Sequence, residues 1–318
     1  MLEHITYSNI SQHLKTHNIL CDEQHGFRAK RSCETQLIST IQDFAKNIDG
    51  GIQTDAILLD LTKAFDRVPH MHLCNKLSYY GINGNTLKWI KNFLQGRTQQ
   101  VIVEGHHSNS INVTSGVPQG TVLAPLLFLC YINDLPTNIN SYIKLYADDV
   151  LIYRPIRSLD DCKILQEDLN AIDQWAVHWQ ARFNPDKCEH IRITNSKNPI
   201  FSTYFIQNTL IQTVPNVTYL GVTIDEHLSW SNHIINITKK ANATRGFLQR
   251  NISSSPSSIK EVCYKLMIGP IIEYASTIWT PHLQNEILKL ESVQHKSVRF
   301  VLNDYARLSS VTSVLQIL

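Results

Sequence analysis

The chain has 318 residues, 43% hydrophobic and 18% charged, a balance that suits a globular protein large enough for two or more domains. Its formal net charge of +2 excludes a chain that is basic throughout, so any surface for a polyanion is local. Seven scattered cysteines, none spaced Cys-x-x-Cys, argue against a disulfide framework or a zinc ribbon and favour a reducing compartment.

No basic amino-terminal region leads into an apolar core, and the longest apolar run, Val122 to Ile132, contains Pro125 and is too short to span a bilayer. The expectation is an intracellular protein, cytoplasmic or nuclear, neither secreted nor membrane-spanning. Residues 1–35 are polar and mixed. They end in Glu23-Gln-His-Gly-Phe-Arg-Ala-Lys-Arg-Ser32, where Arg28, Lys30 and Arg31 form a basic cluster that by itself reads as a solvated loop. From Thr35 to Ile48, the apolar residues Leu37, Ile38, Ile41, Phe44, Ala45 and Ile48 fall at helical spacing, stopped by Gly50-Gly51. Asp55 to Leu61 is a short apolar run typical of a buried strand, and it leads into Thr62-Lys-Ala-Phe-Asp-Arg-Val-Pro-His70. Helices are expected over His70–Tyr80 and Asn85–Leu94, each stopped by a glycine, Gly81 or Gly96. Gln99–Glu104 and Ser110–Thr114 alternate around a polar tip, the pattern of a hairpin. The loop Ser115-Gly-Val-Pro-Gln-Gly120 then opens an apolar helix, Val122 to Leu135, that starts near Pro118 or after Gly120.

In Lys144-Leu-Tyr-Ala-Asp-Asp-Val-Leu-Ile-Tyr153, apolar residues run up to two adjacent carboxylates and resume. The expected hairpin has strands Ile143–Ala147 and Val150–Tyr153, with Asp148 and Asp149 both at the turn. Considered alone it is a surface turn with a polar tip. Leu159 to Phe183 has the spacing of an amphipathic helix, and Asn184-Pro-Asp-Lys-Cys188 turns the chain into a strand over His190–Thr194. Residues 199–225 read as short strands. Beyond Trp230 the segments around 232–250, 257–267 and 283–302 read as helices carrying Lys239, Lys240, Arg245, Arg250, Lys289, Lys296 and Arg299. A boundary is placed near 225–230, giving domains 1–228 (mixed) and 229–318 (mostly helical).

Asp60 ends one buried strand and Asp148-Asp149 tip another. If those strands are neighbours, three carboxylates meet at one sheet edge. Adjacent carboxylates repel, and hard oxygen donors without nearby histidine or cysteine suit Mg²⁺ or Mn²⁺. Two such ions, about 3.5–4 Å apart, could activate a hydroxyl and hold a leaving oxygen, which is phosphoryl-transfer chemistry.

Taken together and in order, Asp60-Leu-Thr-Lys-Ala-Phe-Asp, Ser115-Gly-Val-Pro-Gln-Gly, Tyr146-Ala-Asp-Asp and Asn184-Pro-Asp-Lys-Cys resemble four successive reverse transcriptase motifs. Gln24-His-Gly-Phe-Arg-Ala-Lys-Arg-Ser, Tyr219-Leu-Gly-Val-Thr-Ile-Asp and Trp279-Thr-Pro-His resemble the non-LTR (LINE-type, Jockey-like) retrotransposons in particular, so the resemblance covers nearly the whole chain. It implies an α+β right-hand polymerase, with partial fingers and an antiparallel palm over 1–228 and a helical thumb and connection over 229–318. The implied activity is RNA-directed DNA polymerisation, with an RNA template, a DNA primer and deoxynucleoside triphosphates. Asp60 and Asp148 match the two principal metal-binding aspartates and Asp149 the third, while Leu61 would lend a backbone carbonyl. Phe65 matches the residue that excludes a 2′-hydroxyl; alone, it would equally be a core aromatic. Gln119 and Gly120 match the loop beside nucleotide and template, Gly120 by allowing close backbone approach. Arg28 or Arg31 would meet the triphosphate, and Lys187 matches a lysine proposed to protonate pyrophosphate, though a lysine in such a turn is also simply a surface residue. Asp66, next in the strand after Phe65, should point away from it and serve structure.

The family's fingers begin upstream of the position of Met1, and neither an endonuclease domain nor a cysteine–histidine knuckle is found. The expectation is therefore a fragment with its carboxylates intact. A catalytically inactive remnant that at most binds nucleic acid is the competing reading, and a polymerase of another lineage is disfavoured by the non-LTR phrasing.

Overall fold

A computed structural model describes residues 2–304, which form two compact units meeting at Val214 and Pro215. The first unit opens with a helix where the sequence pattern suggested none. In α1 (Leu2–Thr16) only Ile10 and Leu14, one turn apart, are buried, too narrow a stripe to stand out among polar residues. Helix α2 (Cys33–Asp49) starts at Ser32, whose hydroxyl accepts from the Thr35 N–H at 3.2 Å while the Ser32 N–H donates to Thr35 Oγ1 at 2.9 Å. Strand β1 (Gln53–Asp60) follows, then α3 (His70–Tyr79) and α4 (Gly84–Leu94). The expected hairpin after α4 is a nest of two-residue pairs. β2 (Thr98–Gln99) pairs with β5 (Ile111–Asn112), enclosing β3 (Ile102–Val103) and β4 (His106–His107). Helix α5 (Ala124–Ile132) begins after Gly120, and Ala124 and Leu126 through Ile132 are all buried.

β6 (Tyr142–Tyr146), β7 (Asp149–Ile156), α6 (Leu159–Trp179), β8 (Glu189–Ile193) and three short strands, β9 (Phe205–Ile206), β10 (Thr209–Leu210) and β11 (Gln212–Thr213), complete the unit. The main sheet has the order β11-β8-β1-β7-β6, antiparallel except for the parallel pair of β11 and β8. β1 is its middle strand, and Ala56 and Ile57 are fully buried. That explains its nearly continuous apolar sequence. The buried Lys76 of α3 donates to the Tyr131 carbonyl and to Asp134, and lies 3.8 Å from the Trp179 ring centroid, which ties α3 to α5 and α6.

The second unit starts with a hairpin, β12 (Asn216–Tyr219) and β13 (Val222–Asp225), joined by Leu220 and Gly221, both left-handed at φ +44° and +82°. Helices α7 (Ser231–Asn251), α8 (Ser257–Cys263), α9 (Gly269–Glu273), α10 (Ser276–Trp279) and α11 (Gln284–Leu302) follow, with a π-helical turn at Tyr264–Ile268. Its core includes Ala241, Leu248, Ile268, Val293 and Phe300. The last part of the expected connection, after residue 304, lies outside the described residues. Among those described, no helix is long and apolar enough to cross a membrane.

Candidate active site

The register of the sheet places the carboxylates. Asp60, the last residue of β1, is paired with Asp149, the first residue of β7, and Asp149 is also paired with Tyr146 across the hairpin. The sequence pattern expected both hairpin aspartates at the turn. Instead Asp149 belongs to the strand, and the two-residue turn is Ala147-Asp148, with Ala147 left-handed at φ +55°. Pairing with β1 draws Asp149 into the ladder, an interaction that no local turn rule contains.

Burial, and then the like charge of Asp60, raise the pKa of the half-buried Asp148, although its own backbone N–H pulls the other way. Burial and the charges of Asp148 and Asp60 push Asp149 up to about 6. Asp149 nonetheless keeps solvent contact. Lys187 Nζ lies 3.8 Å from Asp60 Oδ2, with both side chains well exposed. That ion pair is loose and screened. Among the described residues, no group of three or more His, Cys, Asp or Glu is closed into a ready metal cage. What the three aspartates offer a hard cation is all-oxygen donors and mutual repulsion that a positive charge would relieve.

β1 stops at Asp60 because the chain is handed to another segment. Leu61 bridges Phe183, and the Thr62 N–H donates to the Arg182 carbonyl at 2.8 Å. Residues 62–66 then form a turn, in which the Asp66 N–H donates to the Lys63 carbonyl at 3.0 Å. The strand geometry expected for Phe65 and Asp66 is therefore absent. Phe65 is half-buried and stacks on Phe128, with centroids 4.5 Å apart and planes at 16°, while Phe27 meets it edge-on at 6.3 Å. Asp66 does serve structure: its Oδ1 accepts from Gln119 Nε2 at 2.8 Å, and its carbonyl from the Ser115 hydroxyl at 2.9 Å.

These bonds dock the 115–120 loop on the 62–66 turn. Gly116 (φ +91°) makes the docking possible, since a Cβ there would fall 2.7 Å from the Asp66 carbonyl oxygen. No protein atom lies within 4 Å of where a Cβ on Gly120 would stand, so the backbone there is open to the cavity it lines, and its φ of +80° also favours glycine. The result is a cavity of about 430 Å³ whose lining includes Asp148, Leu61, Lys63, Phe65, Gln119, Gly120 and Phe27. A larger groove of about 580 Å³, on the side of Asp66, Arg97 and Gln99, contains none of the three aspartates. The smaller one is the better candidate because it joins a carboxylate to an aromatic floor.

Arg28 and Arg31 are not among the lining residues of that cavity. Arg28 donates to the Cys21 carbonyl, and Arg31 to the carbonyls of Asp22 and Gln24 and to the Asp22 carboxylate at 2.7 Å. Both arginines brace their own loop. Lys63 and Phe27, which do line the cavity, were passed over in the sequence. Each lies within a recognised motif, and that proximity was the available signal.

The family model described as "Reverse transcriptase (RNA-dependent DNA polymerase)" matches residues 2–224. The chain is 29% identical over 290 residues to the RNA-directed DNA polymerase from mobile element jockey of Drosophila melanogaster, covering 87% of this chain and 31% of that protein. It is 28% identical over 304 residues to the probable RNA-directed DNA polymerase from transposon X-element of the same organism, covering 91% and 32%. It thus spans about a third of the length of these curated relatives. Among solved structures, apo telomerase from Candida tropicalis superposes with a TM-score of 0.52 at 10% identity, over 96% of this chain and 50% of that one, a likeness of fold alone. With its α+β sheet, its ordered motifs and the family match over residues 2–224, this chain belongs to the reverse transcriptase family, has the right-hand polymerase fold and is similar to the polymerases of the jockey and X-element non-LTR retrotransposons.

Proposed function

We propose that the chain carries the polymerase centre of an RNA-directed DNA polymerase, transferring a nucleotide from a deoxynucleoside triphosphate to a primer 3′-hydroxyl on an RNA template. The observation that carries this reading is the register of Asp60 opposite Asp149, with Asp148 on the adjoining turn facing a cavity lined by Phe65 and Gln119. Asp60, Asp148, Asp149 and the Leu61 carbonyl would hold two Mg²⁺ or Mn²⁺ ions. Bound there, such ions supply Lewis-acid activation of the hydroxyl and neutralise charge on the triphosphate. The protein's own work is positioning. Phe65, stacked on Phe128 and lining the cavity, would stand where a 2′-hydroxyl would clash. Asp66 holds the Gln119 amide at the cavity wall. Lys63 places a cation at the cavity, and Lys187 stands beside Asp60 where a leaving pyrophosphate could take a proton. Arg28 and Arg31 would have to exchange their present carbonyl partners to reach the triphosphate.

In this reading residues 1–228 are fingers and palm, and 229–318 are thumb and connection. The basic residues of α7 and α11 would grip the template–primer backbone, and shape rather than sequence would be read. Nucleic-acid substrates put the site of action inside the cell, in cytoplasm or nucleus. Primer extension on an RNA template with Mg²⁺ is the test. Extension by the wild type and none by Asp148→Ala supports the reading; equal, negligible extension by both, with duplex binding retained, favours the inactive remnant. Equal or better extension on a DNA template would point to another polymerase lineage.

A further inference from the structure

Gln24 is 2% exposed, and its amide bonds Ala147, far along the chain, as well as its near neighbour Gly26. Its Nε2 donates to the Ala147 carbonyl at 3.2 Å, and its Oε1 accepts from the Ala147 N–H at 2.9 Å and from the Gly26 N–H at 2.7 Å. Backbone bonds flank this grip: the His25 N–H donates to the Leu145 carbonyl at 2.8 Å, and the Leu145 N–H to the Glu23 carbonyl at 2.9 Å. Gly26 is pressed so closely to the turn that a Cβ there would fall 2.3 Å from the Ala147 nitrogen. The residue so gripped is strained. Ala147 is left-handed at φ +55°, a conformation unfavourable for a non-glycine residue that persists only where the surroundings impose it. Asp148 is the next residue.

Resting on the polymerase reading above, we propose that Gln24 is a positioning residue: its side-chain amide clamps the Ala147 peptide groups, holds that turn left-handed, and so presents the Asp148 carboxylate to the cavity. A buried glutamine placed only for stability could bond any part of the segment beneath it. Gln24 instead bonds both the N–H and the carbonyl of Ala147, the left-handed residue directly before Asp148. Gln36 gives the contrast. It is equally buried, and it donates to the Leu145 carbonyl at 3.4 Å, two residues before the strained one.

The clamp is tested by two independent readouts on the full chain carrying Gln24→Ala, Gly26→Ala or Gln36→Ala. Gln24→Asn, one methylene too short to span both bonds, serves where Gln24→Ala does not fold. Amide hydrogen exchange at Ala147, which needs no polymerase activity, should accelerate at least about tenfold in the Gln24 and Gly26 variants while the β1 amides stay protected. In primer extension, kcat should fall on the order of tenfold to a hundredfold with the KM for the nucleotide within about threefold, since misplacement by an ångström costs that much. Gln36→Ala should lower thermal stability yet leave kcat and Ala147 exchange near wild type. Unchanged exchange at Ala147 in Gln24→Ala would overturn the clamp. Accelerated exchange with unchanged kcat would overturn the positioning role. A wild-type chain that extends no primer would sink the polymerase reading instead, and the exchange result would still decide the clamp.

Discussion

Two aspartates on one strand, Asp55 and Asp60, have opposite fates. Asp55 is fully buried, and its carboxylate is satisfied: Tyr204 donates to Oδ2 at 2.7 Å, Gln53 to Oδ1 at 2.8 Å, and His190 Nε2 lies 3.5 Å away. Asp60, five residues later and so on the other face of the pleat, is half-exposed. It faces Asp148 and Asp149, which its charge helps to push up, and it forms a loose ion pair with Lys187. A carboxylate surrounded by donors is built into the fold. Asp60, beside two like charges and one loose cation, is far less compensated among the described residues.

The largest effects should separate this pair. Asp60→Asn should lower primer extension on the order of a thousandfold, with a thermal midpoint equal to or above that of the wild type because one like charge is gone. Asp55→Ala should do the reverse. Leaving Tyr204 and Gln53 without their acceptor should cost about 3–5 kcal/mol in urea unfolding, with activity per folded molecule retained. A thermal loss in Asp60→Asn as large as that in Asp55→Ala would erase the distinction.

The second unit has its own buried titratable group, His233, whose Nδ1 accepts from the Thr223 N–H at 3.1 Å and whose ring meets Trp279 edge-on. Burial pushes its pKa from 6.5 down to about 4. Between those values the unfolded chain binds a proton that the folded one refuses. Stability present above pH 6.5 is therefore lost as pH falls toward 4, by roughly 3 kcal/mol at most. Urea titrations at pH 7 and 4.5 should show the loss, and His233→Gln should flatten it.

A smaller effect concerns the cavity floor. Phe65→Ala should relax discrimination against ribonucleotides by roughly tenfold or more, measured as a ratio of kcat/KM values. Unchanged sugar selection would return Phe65 to the core. The smallest effect sharpens the charge contrast directly. With its folded pKa raised to about 6, Asp149 binds its proton more tightly folded than unfolded, so stability declines as pH rises from about 4 to 6. Because Asp149 is solvent-exposed, Asp149→Asn should gain no more than about 1 kcal/mol above pH 6 in metal-free buffer. Added Mg²⁺ should narrow that gap; a gap unaffected by Mg²⁺ would argue against cation binding at the edge.

Much of the fold was legible in the sequence. The stretches that became α2, β1, α3, α4, α6 and β8 follow local periodicity and glycine stops, and the ordered motifs pointed to the family. Helix α1 escaped because two buried residues in fifteen make a faint stripe. The turn at 62–66 escaped because Leu61 leaves the sheet for Phe183, a partner remote in sequence. Chemical types and local elements are written in spacing, because helix and strand periods act over a few residues. Only the tertiary structure decided that Asp149 belongs to the ladder opposite Asp60, that both arginines brace their own loop, and that Gln24 holds the turn before Asp148. Each of those outcomes depends on which strand lies beside which, and that follows from burying whole faces of the chain together rather than from any one segment.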